Sequence, residues 1–188
     1  PSLPPAYYLL PRKLTPPVFI LLVVASVFIA AAGYIINDYF DINIDRVNKP
    51  GKMVVEKNIT RRWASLMHFV ISTIGIAISL YVSYKTTWII VLANIGCTLL
   101  LWFYSTTFKK KLLSGNIIIS ALTAWTVIVL YFAANTTYLN TSSQPKEIML
   151  AMNLIFKFGA LYAGFAFIIS LIREVVKDIE VMEGDEKY

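Results

Sequence analysis

Residues 18–45 read VFILLVVASVFIAAAGYIINDYFDINID, an uncharged apolar run that ends in a cluster of carboxylates. The part from 18 to 36 is long enough to cross a bilayer as a helix, which takes about 20 apolar residues. If the helix continues, Asn37, Asp41 and Asp45 fall at intervals of four on one face, with Asp38 beside them. Ionised carboxylates beside hydrocarbon are unfavourable unless they pair with a cation or line a watery cavity, so this placement marks a candidate site. Like charges on one stripe repel unless something positive lies among them, and oxygen-only ligands suit a hard divalent cation such as Mg2+. The plain alternative is a solvated helix end at the membrane surface, which gains little from a carboxylate stripe.

Composition extends the membrane reading to the whole chain. Its 188 residues are 57% hydrophobic and 15% charged, with a mean hydropathy of +0.66, too apolar for a soluble domain of this size. Five stretches are expected to span the bilayer: 18–36, 63–83, 87–104, 117–134 and 148–172. They are continuous apolar runs, which predicts helices instead of the alternating strands of an outer-membrane barrel. The expected fold class is therefore all-α, a multi-span transmembrane helical bundle, and no internal repeat argues for a solenoid. Residues 1–17, with six prolines, read as an extended connector into the first span. No signal-peptide pattern opens the chain, and a start at Pro1 reads as a piece of a longer protein. The single Cys97 lies in an expected span, which excludes an intramolecular disulfide and predicts a buried, inert thiol.

The net charge of +6 matters less than its placement. Arg46, Lys49, Lys52, Lys57, Arg61 and Arg62 lie between the first two spans; Lys109, Lys110 and Lys111 lie between the third and fourth; Arg173, Lys177 and Lys187 lie at the end. The opposite loops hold only Arg12, Lys13, Lys85 and Lys146. The positive-inside rule then puts the basic loops in the cytoplasm of a multi-pass inner or plasma-membrane protein, with the N-terminus outside. The basic residues interleave with carboxylates at span ends, a pattern that excludes nucleic acid and fits a small anionic ligand or lipid headgroups. Counting spans alternately brings the carboxylate stripe, the loop 104–116 and the charged segment 173–185 to one face. Carboxylates ringed by Lys and Arg are what a diphosphate bound through Mg2+ requires, the metal bridging carboxylate to phosphate oxygens. His68, with no Cys, Asp or Glu at ligand spacing, reads as a packed core histidine. Lys157 reads as a snorkelling charge, and Gly159 and Gly164 as helix-contact positions.

Asn37-Asp38-x-x-Asp41-x-x-x-Asp45 followed by Arg46-x-Asn48-Lys49-Pro50 resembles the first signature of the UbiA superfamily of intramembrane prenyltransferases. Tyr104-Ser105 ahead of Lys109 and Gly115-Asn116 is similar to that family's middle loop. Arg173-Glu-Val-Val-Lys177-Asp178-Ile-Glu with Gly184-Asp185 looks like its second acidic signature, in the form seen in the digeranylgeranylglyceryl phosphate synthase branch. The resemblance implies that these five spans correspond to helices two to six of a nine-helix fold, so that residues 1–188 form a single membrane domain that is a fragment of a larger one.

The resemblance also implies an activity: Mg2+-dependent transfer of a polyprenyl group from an isoprenoid diphosphate to a lipid-soluble acceptor. The acceptor would be a glycerol-phosphate lipid or an aromatic or quinone precursor, with membrane lipids as surroundings. On that reading Asn37, Asp41 and Asp45 hold one ion with support from Asp38, and Asp185 with Asp178 holds another. Asp41, Asp45, Tyr104 and Asp185 carry the catalysis, Tyr104 near the leaving group. Arg46, Asn48, Lys49, Lys52, Lys109, Arg173 and Lys177 bind the diphosphate. One departure stands out: the family's last motif usually reads Asp-x-x-x-Asp, and Val181 occupies the first of those positions. That departure, with the missing helices, motivates an alternative reading as an inactive UbiA-like binding or scaffold subunit. A divalent-cation transporter is disfavoured, since its acidic residues would lie near the bilayer midplane.

Overall fold

A computed structural model of the chain describes residues 15–48, 54–110, 113–135 and 146–185. They form five helices: α1 (Pro16–Asn48), α2 (Arg61–Lys85), α3 (Ile89–Thr106), α4 (Ser114–Asn135) and α5 (Lys146–Asp185), with a single 3-10 turn at Phe108–Lys110. All five are long and apolar enough to cross a membrane, the qualifying stretches being Pro16–Asn43, Arg61–Lys85, Ile89–Thr106, Ser114–Ala133 and Asn153–Ile179. The expected all-helical bundle class holds. The first helix runs on past the apolar run to Asn48, so residues 37–45 are helical as the carboxylate stripe requires. The fifth apolar stretch reaches Ile179 instead of 172, because Val175, Val176 and Ile179 keep an apolar face running between the charges.

The described residues divide into two compact units, Thr15–Phe108 and 109–185. In the first, α1 starts with Thr15 ahead of Pro16, whose missing N–H falls where the helix has no acceptor for it, and Phe19 N donates to Thr15 O at 3.0 Å. Val18, Leu22, Ala25, Ile29, Ala32 and Ile36 are its buried stripe, spaced alternately four and three apart as in a helix seam. The matching face of α2 is Ala64, His68, Ser72, Gly75, Ser79, Val82 and Ser83, small and polar in place of oily. In lipid there is no hydrophobic gain in burying Leu between helices, so close approach and internal hydrogen bonds decide the interface. Ser79 Oγ donates to Gly75 O at 2.8 Å and accepts from Asn94 Nδ2 of α3 at 2.7 Å, while Ser83 Oγ accepts from Val91 N at 2.9 Å. The α2–α3 connection is tight: Thr86 N donates to Val82 O and Ser83 O. Cys97 is free and half-buried, not fully enclosed as expected, since α3 turns that side only partly toward its neighbours.

Two glycines separate close packing from slack packing. A Cβ on Gly75 would meet Ile29 Cγ1 at 3.0 Å, Phe28 Cβ at 3.2 Å and the Ala25 carbonyl at 3.4 Å, so α1 itself must move. A Cβ on Gly33 would first meet the flexible side chain of Leu101, its Cδ1 at 2.8 Å. Alanine gains about 1 kcal/mol of helix propensity over glycine, and overpacking costs about 1–3 kcal/mol. Gly33→Ala is therefore expected to be neutral and Gly75→Ala destabilising, as read from thermal unfolding of the two variants in detergent.

Candidate functional site

In the first unit, α1 carries its carboxylates without a break. The Asn37 side-chain amide donates to Asp41 Oδ2 at 2.9 Å, one helical turn on, and Asp41 is only 8% exposed. Asp38 is exposed. Asp45 lies on the same helix four residues further, its side chain outside the described residues. The neighbour of Asp41 in sequence, Phe40, belongs to an aromatic cluster that joins α1, α2 and α3. Phe40 packs edge-on to Trp102 of α3 (ring centroids 5.9 Å) and to Tyr39 (5.2 Å), and Trp102 also meets His68 (5.3 Å) and Phe69 (5.9 Å) of α2. Tyr104 and Ser105 follow Trp102 by two and three residues and are buried. A carboxylate as little exposed as Asp41 is poorly hydrated, which strengthens its pull on any cation. His68 Nδ1 lies 2.9 Å from the Ala32 carbonyl, so that nitrogen carries the proton and donates; the residue ties α2 to α1, as its core reading anticipated.

The loop after α1 folds back on the helix end. Val55 and Ile59 form an isolated backbone bridge and pack with Ile42, Ala64, Ile35 and Tyr39. Between them Glu56 sits at φ 74°, a left-handed conformation uncommon for a residue with a side chain. Its carboxylate accepts from Arg46 of α1 and, at 2.6 Å, from Arg61 Nε of α2. Arg46, expected to bind diphosphate, is thus engaged by Glu56. Sequence reasoning missed that partner, since a glutamate between two basic clusters was its only signal. The Arg46 hydrogen bond, more than that of Arg61, holds the Glu56 carboxyl below its ordinary 4.5. A depressed value means that the clasp contributes fully above that pH and is lost as pH falls through the lower folded value. Hydrogen exchange at Val54–Ile59, corrected for intrinsic rates, is expected to accelerate on acidification in the wild type, with Glu56→Gln already fast at neutral pH. The effect is small, since both pairs are solvent-exposed. Asn48 lies on α1 with its side chain outside the described residues, as do Lys49 and Lys52 entirely.

In the second unit α4 and α5 run antiparallel, joined by Asn116 with Asp178, Thr123 with Ser170 (3.3 Å) and the rings of Tyr131 and Phe156 (5.1 Å). Asn116 Nδ2 donates to Asp178 Oδ2 at 2.8 Å. Glu174, one turn before Asp178, is 8% exposed, and Lys177 Nζ lies 3.6 Å from its carboxylate. Lys177 therefore faces Glu174, Arg173 is exposed and Lys109 half-buried. The side chains of Val181 and Asp185, on α5, are outside the described residues. Asn116 and Glu174 fall within the sequence motifs, which imply no role for either; the only signal for Glu174 was its spacing of four from Asp178.

Residues 3–188 match the UbiA prenyltransferase family. The chain belongs to this family. Among similar UbiA relatives are digeranylgeranylglyceryl phosphate synthases of Thermococcus gammatolerans, 35% identical over 84% of this chain and 49% of the relative, and of Methanobrevibacter smithii, 32% identical over 88% and 53%. That of Methanosphaera stadtmanae is 31% identical over 86% and 51%. This UbiA chain thus spans about half the length of the curated relatives it matches. No solved structure matches it.

Proposed function

We propose that the protein is an intramembrane prenyltransferase, moving a polyprenyl group from an isoprenoid diphosphate to a lipid-soluble acceptor with the help of Mg2+. The observation that carries this reading is Asp41: a nearly buried carboxylate, oriented by the Asn37 amide at the end of a membrane helix. Family membership supports the reaction class, and the names of the relatives favour a glycerol-phosphate lipid as acceptor.

The donor set fits the ion. Among the described residues no three of His, Cys, Asp and Glu group as a metal cage, and Mg2+ seldom uses one: it takes one or two carboxylates and fills its shell with waters and substrate phosphates. Asn37, Asp41 and Asp45, with Asp38 in support, would hold one ion, and Asp178 with Asp185 a second. When bound, the metal neutralises charge building on the departing diphosphate. The chain's own residues do the rest. Lys49, Lys52, Lys109 and Arg173 would draw in the diphosphate, and Tyr104 would serve the leaving oxygen. As the allylic carbon–oxygen bond breaks, its electron pair leaves with the diphosphate; the acceptor then bonds to that carbon and releases its proton. Phe40, Trp102 and Phe69 exclude water, which would otherwise capture the allylic cation. The charged loops lie on the cytoplasmic side by the positive-inside rule.

Membranes containing the protein are incubated with labelled geranylgeranyl diphosphate, Mg2+ and glycerol-phosphate, aromatic and quinone-type acceptors. Label in an acceptor, abolished by chelation, is the expected result. No labelled product with any acceptor, together with unaltered diphosphate binding in Asp41→Ala, would sink the proposal.

A further inference from the structure

We infer that Asn116 is a positioning residue that aims the Asp178 carboxylate at a divalent cation, an inference that rests on the proposed role of Asp178. Asn116 is 8% exposed and sits in the first turn of α4, where its backbone is already fixed: Ser120 Oγ, fully buried, donates to its carbonyl at 2.6 Å. From that anchored backbone the amide reaches across 62 residues of sequence to one oxygen of Asp178 at 2.8 Å.

The chemistry of the donor separates aiming from neutralising. A lysine or arginine at this place would orient the carboxylate and also cancel its charge, weakening it as a ligand. A neutral amide fixes the plane of the carboxylate and leaves the charge whole. A carboxylate offers about four lone-pair sites, of which one amide hydrogen takes one, so a cation can still bind. The first unit contains the same device, built differently: Asn37 donates to Asp41 Oδ2 at 2.9 Å from within a single helix. In both cases an asparagine amide holds a carboxylate that the proposed chemistry assigns to an ion. Packing alone is a weaker account, because α4 and α5 are also joined at Thr123 with Ser170 and at Tyr131 with Phe156.

The test uses purified protein in nanodiscs, Mn2+ as the probe and electron paramagnetic resonance as the readout, so that no turnover is needed. Wild type, Asn116→Ala, Asn116→Gln and Asp178→Ala are titrated, and the metal-free melting temperature of each is recorded. Partners that orient ligands are worth about tenfold or more in metal affinity. Asn116→Ala is expected to weaken one class of Mn2+ sites by about tenfold, Asn116→Gln to recover part of that loss, and Asp178→Ala to eliminate the class. Wild-type Mn2+ binding in Asn116→Ala, alongside loss in Asp178→Ala, overturns the inference and leaves the proposed function standing. A weakening that Gln does not relieve, tracking a lower metal-free melting temperature, shows packing only and also overturns it. Unchanged binding in Asp178→Ala removes the proposed role of Asp178, and the inference with it.

Discussion

Asp41→Ala is expected to lower prenyl transfer by about 10³-fold, with Asp38→Ala far milder. Metal-borne stabilisation of a leaving group is worth several kcal/mol, and about 4 kcal/mol is about 10³ in rate. On the proposed function Asp41 is the carboxylate that holds that metal tightly, since it is nearly buried and pinned by Asn37. Asp38 is exposed, so its charge is screened by water and its removal is felt weakly. Initial rates across a Mg2+ series distinguish the two. Equal losses in both variants would mean that burial and orientation at Asp41 confer nothing, and the assignment of the helix face would fall.

The helical face behind that expectation is legible in the amino-acid sequence, because a four-residue interval on a helix leaves few alternatives. Asn37 and Asp41 meet as the spacing requires. The spans are legible for the same kind of reason: a run of apolar residues long enough for a bilayer has few other fates. What escapes a sequence reading is whatever depends on contacts distant along the chain or on backbone conformations that side chains hide. Glu56 takes a glycine-like φ of 74° and draws Arg46 and Arg61 to itself; a glutamate between two basic clusters gives no hint of the first and only a weak one of the second. The link from Asn116 to Asp178 joins α4 to α5, and no local pattern predicts which amide meets which carboxylate. Glu174 has the look of one more charge at a helix end, yet it is buried, because its face of α5 is covered within the second unit. The interface of α1 with α2 misleads an eye trained on soluble proteins, since its small, polar side is the inner one.

Val181→Asp is expected to tighten the proposed second cation site by about 10–100-fold, by analogy with the way ligand charge count tunes divalent affinity. Residue 181 lies three after Asp178 and four before Asp185 on α5, so helical register puts all three on one side. Resemblance to the family motif places an aspartate there, where this chain has valine. Two opposing consequences follow from adding the charge. Without metal, a further carboxylate near Asp178 raises like-charge repulsion and lowers the melting temperature. With Mg2+, the extra oxygen ligand strengthens binding and stabilises the folded state by mass action. The variant should therefore show a larger Mg2+-induced rise in melting temperature than the wild type, and reach half-maximal activity at lower Mg2+. A melting curve that falls equally with and without Mg2+ would mean that the new carboxylate does not reach the ion. Asp178, held by Asn116, and Asp185 would then have to form the second site without a ligand at 181, and the departure from the family motif would be neutral for metal binding.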